Sequence, residues 1–180
     1  MPKQERYVAF LRGINVGGHK TVKMDELKKA FEQLGFQNVK TLLASGNIVF
    51  DAAKQNQKTL SEKISEKLER TFGHEIGVII RSVEEIKSLV DSNPFKVIKV
   101  TPETRLYVTF LAEKSKSTLK IPYSSPDGGL KILSKTDTEL CSHLVLLPTR
   151  STVDYMSVIE KEFGKKVTTR NWNTVLKILK

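Results

Sequence analysis

The segment Arg12–Thr21, RGINVGGHKT, combines three glycines with four side chains that could bind an anion. Its glycines allow sharp turns and a close approach of the backbone to a ligand. Arg12, Asn15, His19 and Lys20 surround them with side chains that donate hydrogen bonds to phosphate oxygens. This composition predicts an anion-binding loop. The alternative is a tight turn without a ligand, although a turn alone needs fewer donors.

The spacing excludes the two best-known phosphate motifs. A P-loop needs its lysine directly after the second glycine of GxxxxG, whereas His19 lies between Gly18 and Lys20. The inserted residue would displace the ammonium group and the Thr21 hydroxyl relative to the phosphates. The dinucleotide fingerprint GxGxxG is also absent. An anion bound here would therefore be held by neither a P-loop nor a dinucleotide-binding arrangement.

A second polar segment, Thr168–Thr174, reads TTRNWNT and precedes a helical pattern. Asn171 or Thr169 can cap that helix, and Arg170 lies beside its N-terminus, where backbone N–H groups can hold an anion. The alternative is that Asn171 is only a cap and that Trp172 belongs to the core. We favour the core position for Trp172, because tryptophan is usually largely buried. Both alternatives remain open for Arg170.

Other catalytic and metal-binding patterns are absent from the sequence. His19, His74 and His143 lack ligand spacing, and the single Cys141 excludes a disulfide and multi-cysteine sites. Cys141 lies in an apolar run and is expected to be a buried small residue. We expect no metal and no cofactor. His19 and His74 remain candidates for acid–base chemistry.

The net charge suggests a partner class. The 180 residues include 30 Lys+Arg and 20 Asp+Glu, which gives a formal charge of +10. Two windows, Arg6–Met24 and Phe163–Lys180, are basic and contain no acid. Such surfaces attract nucleic acid or smaller anions, whereas the alternative is a charge excess that only maintains solubility. Because the start lacks a signal-peptide pattern and no run reaches membrane-span length, we expect a cytoplasmic protein without membrane contact.

Hydrophobic periodicity predicts the elements that position these segments. In the first half it predicts strands at 7–11, 39–45, 48–50 and 76–80, and helices at 24–34 and 60–72. Thr59 and Glu62 are predicted to form a capping box at the start of the second helix. A right-handed crossover would place the loop after the first strand beside the turn Ser45-Gly46-Asn47. The Gly73-His74 connection would lie at the same end of the sheet.

The second half repeats part of this pattern. Tyr107–Leu111 reads YVTFL and differs from YVAFL at Tyr7–Leu11 in one position. A weaker match relates 47–50 to 143–146, while 113–128 shows no helical face. We interpret the pattern as an internal duplication, with chance similarity as the alternative. The predicted fold is α+β with two ferredoxin-like βαββαβ subdomains, at 1–82 and 105–180, joined by a helical connection at 83–104.

Four motifs, LRGINVGGHK, LLASGNIVF, NPF and TTRNWNTV, together resemble a bacterial family known as domain of unknown function 1697. The resemblance implies a small, cytoplasmic, stand-alone α+β protein with two halves of ferredoxin-like character. It implies no function. The family-typical positions present in this chain are Arg12, Gly13, Asn15, Gly17, Gly18, Ser45, Gly46, Asn47, Arg170, Asn171, Trp172 and Thr174.

Our first functional hypothesis is a binding protein for a phosphate-containing anion, with nucleic acid as the leading ligand class by charge. Against nucleic acid, aromatic residues make up only 7% of the chain and no strand carries an RNA-recognition pattern. The alternatives are an enzyme acting on a small phosphorylated or carboxylated substrate, with His19 or His74 as acid–base, and a structural or interaction module. The oligomeric state stays open. The predicted binding residues are Arg12, Asn15, Gly17, Gly18, His19, Lys20, Ser45, Asn47, Arg170 and Asn171.

Overall fold

The computed structural model describes all 180 residues, which divide by their internal contacts into two compact units. The first unit comprises Met1–Ser88 and Lys177–Lys180, and the second comprises Leu89–Leu176. The chain forms five helices and two antiparallel sheets, which confirms the predicted α+β class. None of the helices has the length and apolar character needed to cross a membrane.

The first unit contains a four-stranded sheet with two helices packed on one face. Its sheet has the order β2-β3-β1-β4, and every neighbouring pair is antiparallel. This order follows from two crossovers, each of which returns the chain to a strand parallel to the one before it. The elements are β1 (Gln4–Arg12), α1 (Met24–Gln33), β2 (Gln37–Leu42), β3 (Asn47–Ala53), α2 (Gln57–Phe72), β4 (Gly77–Ser82) and, reaching the end of the unit, α3 (Val83–Asp91).

The second unit contains a five-stranded antiparallel sheet with the order β6-β7-β8-β5-β9. No helix forms between β5 and β6, as expected from the missing helical face in 113–128. The elements are β5 (Thr104–Leu111), β6 (Tyr123–Ser124), β7 (Leu130–Lys135), β8 (Glu139–Val145), α4 (Thr152–Phe163), β9 (Val167–Asn171) and α5 (Trp172–Lys177).

Both faces of β1 are buried. Tyr7, Ala9 and Leu11 contribute to the core beneath α1 and α2, where Phe31, Phe36 and Phe50 pack with ring centroids 4.7 to 6.0 Å apart. Val8 and Phe10 point to the opposite face and are fully buried as well. Tyr7 and Phe10 thus lie on opposite sides of the strand, and neither aromatic ring is presented to solvent.

Three details differ from the sequence prediction. Strand β2 ends at Leu42 rather than residue 45, because Leu43 adopts a left-handed backbone with φ 60°. The cap of α2 is Asn56 rather than Thr59, since the Asn56 side chain accepts hydrogen bonds from the N–H groups of Lys58 and Thr59. The strand register does not align 47–50 with 143–146, because residues 47–50 pair with YVAF of β1, whereas residues 139–142 pair with YVTF of β5.

Candidate functional site

The loop after β1 contains a miniature hairpin, Asn15–Lys20, which we call the glycine hairpin. The N–H of His19 donates to the carbonyl of Val16 over 3.2 Å, and Gly17 and Gly18 form the tip. Both glycines have positive φ, 61° and 75°, as a type I′ turn requires. All six residues are exposed, and the N–H groups of the two tip glycines make no hydrogen bond within the chain.

Asn15 fastens the base of this hairpin to the rest of the first unit. Its Oδ1 accepts from the N–H of Val22 at 2.8 Å, and its Nδ2 donates to the Val22 carbonyl at 3.1 Å. The same Nδ2 donates to the carbonyl of Ala44 at 2.9 Å. The amide is therefore fully used in joining two loops, which leaves it no donor for a ligand.

The loop joined in this way is the β2–β3 turn, Leu43–Gly46. The N–H of Leu11 donates to the Gly46 carbonyl at 2.8 Å. A Cβ on Gly46 would lie 2.9 Å from Ile14 Cδ1, so a side chain there would collide with the loop after β1. These contacts confirm that the RGINVGGHK segment and the Ser45-Gly46-Asn47 turn are neighbours, as the crossover argument predicted.

Asn47 supports this turn from inside. Its side chain is wholly buried, and Nδ2 donates to the Leu42 carbonyl at 3.1 Å and to Ser45 Oγ at 2.9 Å. We predicted from the sequence that Ser45 and Asn47 bind the ligand. The observed hydrogen bonds show that the Asn47 amide instead stabilises the turn.

Arg12 and His74 also lie at this end of the first sheet. Arg12, the last residue of β1, pairs with Gly77 at the start of β4, which follows the Gly73-His74 connection. Nδ1 of His74 lies 3.2 Å from the Phe72 carbonyl, and its Nε2 is buried without a partner. His19 is exposed and its ring makes no hydrogen bond. Neither imidazole contacts a carboxylate that could orient it for acid–base chemistry.

Two lysines lie in and after the hairpin: Lys20 is its last residue, and Lys23 is the N-cap residue of α1. Lys20 and Lys23 are exposed and form no ion pair. Asp25 and Glu26 occupy the first turn of α1, so their carboxylates already complement the dipole of that helix. The N-terminus of α1 is therefore a poor anion site, contrary to the analogy with a phosphate-binding loop.

Backbone strain is concentrated in the same two loops. Five residues other than glycine have positive φ, and three of them, Asn15, Lys20 and Leu43, belong to the glycine hairpin and the β2–β3 turn. A left-handed conformation costs roughly 1–2 kcal/mol for most side chains, and such strain clusters at functional sites. Sequence reasoning missed Leu43, because TLLAS has the composition of a strand and nothing in it signals positive φ.

The Thr168–Thr174 segment is accounted for by packing within the second unit. Arg170 is 9% exposed, and its Nη1 donates to Thr168 Oγ1 at 2.7 Å and to the Thr169 carbonyl at 3.0 Å. Burial lowers the pKa of Arg170 to about 10. Asn171 Oδ1 accepts from the Asn173 N–H at 2.9 Å, which is the cap geometry. These contacts favour a structural role for both residues.

The NPF and TRNWNT motifs meet in the same unit. Phe95, which is buried, packs edge-on against Trp172 with ring centroids 5.0 Å apart. Trp172 is half-buried rather than fully buried, so its predicted core position is met only in part.

Cys141 is 2% exposed, and burial raises the pKa of its thiol to about 11, which suppresses thiolate formation. No group of three or more His, Cys, Asp or Glu residues is arranged to hold a metal ion.

Two grooves are found in the second unit, and neither contains a predicted site residue. One lies against α4 and includes Leu119, Tyr123 and Phe163, and the other includes Pro94, Val97 and Lys131. The first groove also contains Lys161 and Glu162, whereas Lys131 is the one charged residue that lines the second. The only place where the predicted polar residues converge is the hairpin end of the first unit.

These observations define a mixed α/β protein whose predicted polar residues meet at two loops of its first sheet. The chain belongs to the family described as protein of unknown function, DUF1697, whose model matches residues 4–128. This confirms the family that the motifs suggested.

A solved structure, a conserved bacterial protein of Streptococcus pneumoniae, has a similar fold. It shares 20% sequence identity with this chain, and the match covers 98% of this chain and 97% of the other, with a TM-score of 0.69. At this identity the likeness shows the fold alone. No curated protein matches the chain.

Proposed function

We propose that this protein binds a phosphate-containing anion at the glycine hairpin. The observation that carries the proposal is the pair of unused N–H donors at Gly17 and Gly18, presented by a loop that Asn15 holds in place. A donor pair fixed before binding loses little conformational freedom when a ligand arrives, which favours binding. Lys20, two residues after Gly18, adds a positive charge without an internal partner.

The proposal assigns different roles to the predicted residues. Arg12, Gly17, Gly18, His19 and Lys20 contact the anion. Asn15 holds the two loops together, and Asn47 with Ser45 holds the β2–β3 turn. Arg170 and Asn171 are left out, because their side chains are engaged in the second unit.

A small anion fits this site better than a long nucleic acid. Single-stranded nucleic acids are commonly bound by stacking bases on exposed aromatic side chains. Tyr7 and Phe10 of the central strand are buried, so the first sheet offers no such surface. The enzyme hypothesis gains no support from the histidine contacts, since neither His19 nor His74 is paired with a carboxylate. We retain a cytoplasmic location as part of the proposal.

The test is calorimetric titration of the full chain with inorganic tripolyphosphate. We expect saturable binding that weakens at least fivefold in Lys20→Gln, because one cation beside the anion is removed. The matched control is Lys58→Gln. Lys58 is exposed and lies near the start of α2, which follows the opposite end of β3. Equal loss in both variants, or no binding by the unmodified protein, would contradict the proposal.

We also propose that the two units arose by duplication of a ferredoxin-like βαββαβ unit. The support is their shared register. Val8 of YVAFL pairs with the buried Arg81, and Val108 of YVTFL pairs with the buried Arg170. The strand order around β1, β2-β3-β1-β4, matches the order β7-β8-β5-β9 around β5. Under this proposal the second copy lost its first helix, in the stretch 113–128.

A further inference from the structure

The hairpin end of the first unit exposes apolar side chains as well as cations. Val16 in the glycine hairpin is 67% exposed and Leu43 in the β2–β3 turn is 49% exposed. Apart from Met1, they are the only large apolar residues of Met1–Ser88 that are exposed. The bond between Asn15 and the Ala44 carbonyl brings their two loops together.

Leu43 is unfavourable for the free protein in two respects. Its side chain leaves apolar surface in water, and its φ of 60° is a conformation that leucine disfavours and asparagine or glycine tolerates. Asparagine or glycine would remove both the exposed apolar surface and the backbone strain, and an exposed turn accommodates either residue easily. The presence of leucine at this position is explained if its side chain contacts an apolar part of a ligand.

We propose that the anion bound at the glycine hairpin is a nucleoside phosphate. Its phosphates would contact the Gly17 and Gly18 N–H groups and Lys20, and its base would lie on Val16 and Leu43. The surface is open, since all residues of the hairpin are exposed, which suits the flat face of a base rather than a lipid acyl chain. This inference rests on the proposed function, because it specifies the ligand of the same site.

The experiment compares adenosine triphosphate with inorganic tripolyphosphate by calorimetry on the full chain. Burial of a few tens of Å² of aliphatic surface predicts binding of the nucleotide on the order of tenfold tighter than tripolyphosphate. In Val16→Thr with Leu43→Asn, we expect this advantage to disappear while tripolyphosphate affinity stays the same. Leu43→Asn should also raise the Tm, which shows that the variant is folded.

Each contrary outcome has a separate meaning. If tripolyphosphate binds and the nucleoside adds nothing, or the advantage survives in the double variant, the nucleoside inference is wrong and the anion site stands. If neither compound binds, both proposals fail. Binding only to an oligonucleotide, or only to vesicles containing anionic lipid, would also overturn the nucleoside inference. The control Val97→Thr, an exposed valine of the second unit, should leave both affinities unchanged.

Discussion

Asn15 illustrates how a residue that appears suited to bind a ligand can instead build the site. The sequence places an amide among glycines and cations, which is consistent with ligand binding. The structure uses both ends of that amide in three hydrogen bonds to Val22 and Ala44. Its residue type also suits its φ of 55°, because asparagine tolerates the left-handed region.

We predict that two substitutions of Asn15 will separate the contribution of its amide hydrogen bonds from that of its left-handed backbone conformation. Asn15→Gly keeps the backbone conformation and removes the amide, so it should lower the free energy of unfolding by about 2 kcal/mol. Asn15→Ala also introduces left-handed strain and should cost about 1 kcal/mol more. Urea denaturation measures both values. If Asn15→Gly is as stable as the unmodified protein, the amide does not hold the loops together.

Cys141 yields a prediction about pH. Burial raises the pKa of its thiol from 9.0 to about 11. The unfolded chain therefore loses this proton first as the pH rises, which stabilises the unfolded state and reduces stability. Compared with Cys141→Ala, the protein should lose about 1.4 kcal/mol per pH unit between pH 9 and 11 and nothing below pH 8.

The Cys141 prediction is checked by urea denaturation of both proteins from pH 7 to 11. Cys141→Ala carries the same lysines and tyrosines, so their titration cancels in the difference. A difference in unfolding free energy that is constant across this range would show that the thiol is not desolvated as its 2% exposure indicates.

For the helices and strands of the first unit, hydrophobic periodicity and chain connectivity were sufficient to predict which elements form and in what order. The first six elements, their order and the meeting of the two loops follow from hydrophobic periodicity and crossover handedness. The exact ends of β2 and α2 did not follow. Leu43 and Asn56 decide those ends through backbone conformation and a single side-chain bond, and neither produces a periodic signal.

A tertiary contact that the sequence does not signal fixes how α4 meets the turn before β7. A Cβ on Gly129 would lie 1.8 Å from Tyr155 Oη and 2.5 Å from its Cζ. Gly129→Ala should therefore force Tyr155 out of its position and lower the free energy of unfolding by about 2–3 kcal/mol. Thermal and urea denaturation measure the loss.

Two further variants isolate the contact between Gly129 and Tyr155. In a Tyr155→Leu background, which lacks the ring atoms concerned, Gly129→Ala should cost less than about 1 kcal/mol. The neighbouring Gly128 has φ 73° and no atom within 4 Å of an added Cβ, so Gly128→Asn should be nearly neutral. Equal costs of Gly129→Ala in both backgrounds would rule out the steric explanation.

For the whole molecule, the charge of +10 is spread over both halves of the sequence, and this excess is distinct from the candidate site. Lys20→Gln with Lys23→Gln, and Lys177→Gln with Lys180→Gln, each lower the net charge to +8 at exposed positions. Retention on heparin follows overall charge, so both double variants should elute at a similar, lower salt concentration.

Only the Lys20/Lys23 variant should lose tripolyphosphate affinity, and its remaining binding should depend less on salt. Equal loss of tripolyphosphate affinity in both pairs would mean that the anion responds to the general charge excess and not to the glycine hairpin.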